Sequence, residues 1–453
     1  MILNDLYADS ALVDKLASKL GGRGARLHVD GMTGSLPAVV TAALAAKKPT
    51  VNQLIVAPTK DDAFYISNDL EALLNVDKLN DDTLISSGDN LSTYQPINLS
   101  RVMLFPTSYR KAYSYDAEQT ENANVLMRNE VLKAMNGGEP VVVVSYPEAL
   151  SEKVVGSNTL TANTLHLRRG EHSDMWEVVE RLQEMGFERE DFVVEPGQYA
   201  VRGGIVDIFS YASDLPYRVE FFDDSVDSLR TYDAATQLSV KQLDKIDIVP
   251  RMDNMSDTLK VPERRVTLLE YFSGNDIAWC QSLLQVAQRV EALHDETRKA
   301  YEARLDDTAH PIAGTLPKPD EMSATANEFL HKLLDLNIVE YGNSHYFSNE
   351  ERIVTSSEPQ PVFNKQFDLL LDNLRQRAEE GYQLIITVSG ESQEKRLRKI
   401  LDDSDGNNFQ FSIFNYLTAS STTTCACSAI PTTRFSSATT STPSRTSARP
   451  TRP

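Results

Sequence analysis

Cysteine is nearly missing: Cys280, Cys425 and Cys427 are the only three in 453 residues. That excludes a disulfide framework, and the spacing excludes a zinc site. Cys280, inside AWCQSLL, reads as a small buried apolar group. Long apolar runs are missing too, and nothing approaches the ~20 residues that a membrane helix needs. The first residues, MILNDLYADSALVDKLASKL, have neither a basic flank nor an apolar block. This excludes a secretory signal and makes the cytoplasm the expected location. Positive charge is scarce, with 45 Lys and Arg against 65 Asp and Glu and a net charge of −20. Residues 416–453 hold four arginines and neither acid nor lysine, so the rest of the chain is more acidic still. Such a body repels duplex DNA unless it carries a local basic patch, and a protein partner is easier to reconcile with it. The seven histidines show no HxxxH or HExxH spacing, so each reads as a solvated or singly bonded residue and no metal is expected. No nucleophile elbow is present, and no catalytic residue is assigned.

What remains is a chain long enough for two to four domains. RLHVD, QLIV, VMLFPTS and PVVVVS read as strands, separated by helical segments, and this alternation predicts a parallel α/β sheet. Residues 5–20, 263–305, 321–337 and 363–380 read as helices. Near residue 160 the pattern changes. TLHLRRG is strand-like, and DMWEVVERLQEMGF is a helix capped by Ser173 or Asp174 and stopped by Gly186. Several short strands follow, which make a small α+β unit closed by KIDIVPR. The expected organisation is an α/β domain over 1–161 and 251–352, a small domain inserted at 162–250, and a small α/β module at 353–417. About half of residues 418–453 are Ser or Thr, and this tail is expected to be disordered.

GMTGS follows a strand and opens a helix, the outline of a phosphate loop at Gly31, Thr33, Gly34 and Ser35. A working loop needs a lysine for the phosphate oxygens. Here Leu36, Pro37 and Ala38 come next, there is no lysine before Lys47, and Pro37 deletes a backbone donor. The loop is read as one that turns the chain without binding nucleotide or magnesium. The acidic group Asp223, Asp224 and Asp227 reads as a solvated hairpin edge.

The most patterned stretch is EPGQYAVRGGIVDIFSYASDLPYRVEFFDD, residues 195–224. A bulge at Gly203-Gly204 would leave both faces of the first strand pair partly apolar. In PYRVEFFDD, alternation puts Arg218, Glu220 and Phe222 on one face and Tyr217, Val219 and Phe221 on the core face. Two readings stay open for the outward arginines, including Arg202. They pair with local acids such as Glu220, or they form a docking patch, since arginine and aromatic residues anchor interfaces.

This stretch, extended through SVDSLRTYDAATQLS, resembles a block shared by the UvrB family and the transcription-repair coupling factors. The order of units on both sides fits as well, so the resemblance runs from residue 1 to about 417. UvrB proteins keep the phosphate-loop lysine and a tyrosine-rich hairpin for damaged DNA. This chain has GMTGSLPAVV and FPTSYRKAYSYDAEQTENANVLMRNEVLKAMN instead, and is more similar to the coupling factors. The resemblance implies a bacterial, cytoplasmic module whose inserted domain recruits UvrA. The implied contacts are the arginine of YAxRG, the arginine of PYR and the second phenylalanine of FF: Arg202, Arg218 and Phe222. RNA polymerase, double-stranded DNA, ATP and magnesium are implied only for further domains of the family, and no catalysis is expected here. In intact members this surface is covered by their own carboxy-terminal domain. The alternative is an ATP-dependent DNA-binding excision-repair protein of the UvrB type. Read one base earlier, Ala429–Phe435 can encode a Tyr-Thr-Asp-His-Gln-Ile run of the kind coupling factors carry there. The tail is therefore expected to be out of frame after a shift near Leu417.

Overall fold

The computed structural model describes residues 10–74, 101–108, 113, 122–250, 265–308, 316–355, most of 357–388, part of 392–399, and two short strands beyond. Contacts divide the chain into two units, 1–353 and 354–453. The first is built on a seven-stranded sheet in the order Glu351–Val354, Arg26–Asp30, Asn337–Tyr341, Ile277–Gln281, Gln53–Val56, Val141–Ser145, Arg101–Leu104. From Arg26–Asp30 to Arg101–Leu104 every neighbouring pair is parallel. Strands such as Gln53–Val56 and Val141–Ser145 are buried along their whole length, which is why they read as unbroken apolar runs. Helices Leu36–Lys47, Lys60–Leu74 and Leu283–Asp306 bury apolar stripes in the same core. Cys280 is fully buried there, and burial raises its thiol pKa.

Two expectations are corrected. Residues 263–305, expected helical, contain the strand Ile277–Gln281, and helix Leu283–Asp306 begins only after it. The helix expected over 321–337 is reduced to Ala326–Leu333, and Asn337–Tyr341 is a strand. Both strands lie near the middle of the sheet. Short runs that are only partly apolar, such as IAWCQ and NIVEY, fit a buried helix turn and a buried strand equally well, and only pairing with distant residues separates the two. The amino-terminal helix spans Ala11–Lys19, and residues 1–9 lie outside the described set.

The inserted domain begins and ends on one antiparallel pair, Leu165–Arg168 with Lys245–Ile248. Beyond it lies a six-stranded sheet in the order Ser239–Leu243, Ser225–Tyr232, Tyr217–Phe222, Ile205–Ile208, Gln198–Arg202, Glu188–Arg189. Helix Met175–Glu184 buries Val178, Val179 and Leu182 in a core shared with Tyr199, Val206, Ile208, Tyr217, Val219, Val226 and Leu229. Asp174 is its cap and accepts from the Trp176 and Glu177 amides. Gly186 follows with φ 79°, the left-handed conformation that ends a helix.

The second unit has helix Phe367–Glu379 and a three-stranded sheet. Tyr382–Val388 pairs parallel with Phe411–Asn415 and antiparallel with Cys427–Pro431. The last strand departs from the expectation of a structureless tail. CSAIP is a short, mostly apolar run amid Ser and Thr, and it adds to a sheet edge. The rest of the tail lies outside the described residues. Among the described residues no helix is long and apolar enough to cross a membrane.

Candidate functional site: the outer face of the inserted sheet

One face of the six-stranded sheet packs on its helix, and the opposite face carries the arginines. Gly203-Gly204 is a two-residue hairpin turn, not a bulge, because Arg202 pairs with Ile205 and Val201 with Val206. Gly203 takes φ 61°, which such turns require at this position. Closing the hairpin this way puts even-numbered residues of one strand beside odd-numbered residues of the next. Tyr199, Val201, Val206 and Ile208 therefore face the core, while Ala200, Arg202, Ile205 and Asp207 face outward.

Strand Tyr217–Phe222 alternates as expected, with Tyr217, Val219 and Phe221 inward and Arg218, Glu220 and Phe222 outward. A register shift after Glu220, where Ser225–Tyr232 carries an extra residue, keeps Phe221 paired with core-facing Val226. Two rows of outward residues result. Ala200, Asp207, Arg218, Arg230 and Gln242 align across five strands. Arg202, Ile205, Glu220 and Ser228 align across four. The tip beside Phe222 is the two-residue turn Asp223-Asp224, with Asp223 at φ 50°.

Asp207 holds the site together. Its side chain is fully buried, yet it is charged and receives two arginines. Arg218 Nε donates to Oδ1 at 2.7 Å and Nη2 to Oδ2 at 2.9 Å, a bidentate fork. Arg202 Nη2 donates to Oδ2 from the other side. Arg218 also donates to Gln237 Oε1 at 2.8 Å and lies over the Tyr232 ring, 4.2 Å from its centroid. The bond to Asp207 raises the Arg218 pKa, and burial pushes the Tyr232 phenol up to about 12. In the neighbouring pair Arg230 donates to Glu220, and Ser228 Oγ donates to Glu220 Oε2 at 2.7 Å. These two bonds hold the Glu220 carboxyl down at about 2.

Of the expected contacts, Arg202 and Arg218 are brought together, but by Asp207, not by Glu220. They differ in exposure: the Arg202 side chain is 41% exposed and that of Arg218 only 15%. Phe222 is 72% exposed. Strand geometry puts its Cα about 12 Å from that of Arg202. Phe192, also exposed, lies under the Arg202 guanidinium at 5.1 Å. Sequence reasoning missed Asp207, Phe192 and Tyr232. The signal for Asp207 was present: an acid at a strand position among Ile, Val and Phe demands a buried partner.

Gly31–Ser35 does lie between strand Arg26–Asp30 and helix Leu36–Lys47, with Gly31 and Gly34 at positive φ. Pro37 sits in the first turn, and Lys47, the first lysine after the loop, is paired with Asp14 at the far end of the helix.

A family profile described as the UvrB interaction domain matches residues 165–253. The chain is 29% identical over 167 residues to the transcription-repair-coupling factor of Bacillus subtilis, covering 37% of this chain and 14% of that protein. With that of Escherichia coli the identity is 32% over 126 residues, 28% of this chain and 11% of the relative. With UvrABC system protein B of Legionella pneumophila it is 29% over 291 residues, 63% and 40%. The chain thus spans well under two thirds of the length of each.

Proposed function

We propose that this relative of the transcription-repair-coupling factors, with its UvrB interaction domain at residues 165–253, is a non-catalytic module that binds UvrA in nucleotide-excision repair. The observation that carries the reading is the outer face of the inserted sheet. One buried carboxylate, Asp207, serves two guanidiniums, and Glu220 serves Arg230, so the five groups retain a net positive charge. That charge stands beside an exposed phenyl ring in an otherwise acidic chain. A partner offering a carboxylate and a shallow apolar pocket fits it.

The roles of the three residues separate. Arg202 and Phe222 reach outward and are the contacts. Arg218 is mostly covered, spends its donors on Asp207 and Gln237, and is a positioning residue. Arg202→Ala and Phe222→Ala are expected to weaken UvrA capture by about 2 kcal/mol each without moving the melting temperature. Arg218→Ala should weaken capture and also lower the melting temperature, because it leaves Asp207 short of a partner. Undiminished capture by the Arg202→Ala/Phe222→Ala double variant would overturn the assignment.

In a whole coupling factor this module would bring UvrA to stalled RNA polymerase, with polymerase, DNA and ATP handled by other domains. Gly31, Thr33, Gly34 and Ser35 are read as a turn that does not bind nucleotide, since the sequence has no lysine between the loop and Lys47. Titration with labelled ATP tests this, and saturable binding at micromolar concentration would return the UvrB-type alternative to first place.

A further inference from the structure

We propose that His28, Glu340 and Glu350 form a binding site for a divalent transition-metal cation of the zinc class. Parallel register sets His28 beside Glu340 on adjacent strands. The chain then turns at Gly342, where φ is 102°, and returns to bring in Glu350. His28 and Glu340 are fully buried side chains, and Glu350 is 5% exposed. His28 lies two residues before the end of its strand and Glu340 one residue before the end of its own, so the cluster sits toward the carboxyl end of a parallel sheet, where α/β folds bind ligands.

The imidazole carries the argument. His28 Nε2 lies 3.2 Å from the Gly342 carbonyl and 3.3 Å from Asp30 Oδ1. Two acceptors there assign the ring proton to Nε2. Nδ1 is then a lone pair, buried and without a hydrogen bond. It faces carboxylate oxygens of Glu340 and Glu350, each 3.9 Å away. That is too long for a hydrogen bond, and a lone pair against two anions repels in a dry site. Glu350 Oε2 is likewise buried without a hydrogen bond.

A cation between these atoms removes the conflict. Bonds of about 2.0–2.2 Å put tetrahedral metal donors roughly 3.3–3.6 Å apart, so the 3.9 Å observed needs to close by only a few tenths of an ångström on binding. All three donors lie within 4.8 Å of one another. Imidazole with carboxylate suits zinc, manganese, iron(II) or cobalt, not soft copper(I) or hard calcium. Outer contacts already aim the ligands. Glu340 accepts from the Leu283 and Tyr346 amides at 2.8 and 2.9 Å. His345 lies 2.6 Å from Glu350 and packs against His28, with ring centroids 3.8 Å apart and the planes tilted by 40°. The metal would pin segment 342–350 to the central strands. A second proton on His28 is the competing way to relieve the repulsion.

The test uses the full chain with Cys425→Ser and Cys427→Ser, which removes the tail thiols as ligands. After chelator treatment it is titrated at neutral pH with cobalt(II), then zinc(II). The expected result is one equivalent bound, cobalt d–d absorption and a raised melting temperature. Glu350→Gln should weaken uptake at least ~30-fold. Independently of any variant, the His28 ring nitrogen resonances should shift on adding zinc. No stoichiometric uptake, uptake unchanged by Glu350→Gln, or unmoved His28 resonances would each overturn the site, leaving the second proton as the answer.

Discussion

Asp207 illustrates how a single side chain sets the character of a face. Fully buried and charged, it is tolerable only because two guanidiniums reach it. Asp207→Asn should cost about 3 kcal/mol, measured by urea denaturation, since Arg218 would be left partly buried without its counter-ion. Adding Arg218→Gln to that variant should recover part of the loss. Glu220 gives a pH signature. Its carboxyl is held at about 2, below the ordinary 4.5, chiefly by Arg230. The stabilisation is therefore complete above about pH 4.5 and is lost as pH falls toward 2. Because the pair is partly solvated, the contribution is at most about 1 kcal/mol. Urea midpoints measured across this range should flatten in Glu220→Gln.

Among the elements, the turns decide whether the face forms. Gly197 sits at φ 91°, and a Cβ there would lie 2.1 Å from the Tyr211 hydroxyl oxygen. Gly203 has φ 61°, but open space around it. Gly197→Ala should therefore destabilise by about 3 kcal/mol, from backbone strain plus overlap. Gly203→Ala should cost only about 1 kcal/mol, from backbone strain alone. Equal losses in thermal melting would contradict this account. The hairpin also shows why face assignment was only partly legible. Within Tyr217–Phe222, alternation alone separated Arg218 and Phe222 from the core. Across Gly203-Gly204 the answer depended on whether the glycines made a bulge or a turn, and that follows from which residues pair.

For the whole molecule, the inserted domain has a core of its own, distinct from that under the seven-stranded sheet. Leu182→Ala should cost about 3 kcal/mol. It should speed amide exchange across 165–253 while leaving Gln53–Val56 and Val141–Ser145 protected. Faster exchange in both would mean the two cores unfold as one.

The sequence by itself determined the fold class, the interruption near residue 160, the helix capped before Met175 and the outward set Arg218, Glu220 and Phe222. Each rests on local periodicity or on a local bond, and a chain carries such information in consecutive residues. Only the tertiary structure decided that Ile277–Gln281 and Asn337–Tyr341 are central strands, that Asp207 and not Glu220 holds the arginines, and that His28 is sealed against Glu340 and Glu350. In each case the deciding partner lies on another strand, and for His28 more than 300 residues away. A segment can show that a partner is needed, as Asp207 does among Ile, Val and Phe, but which distant residue supplies it is not written in either segment alone.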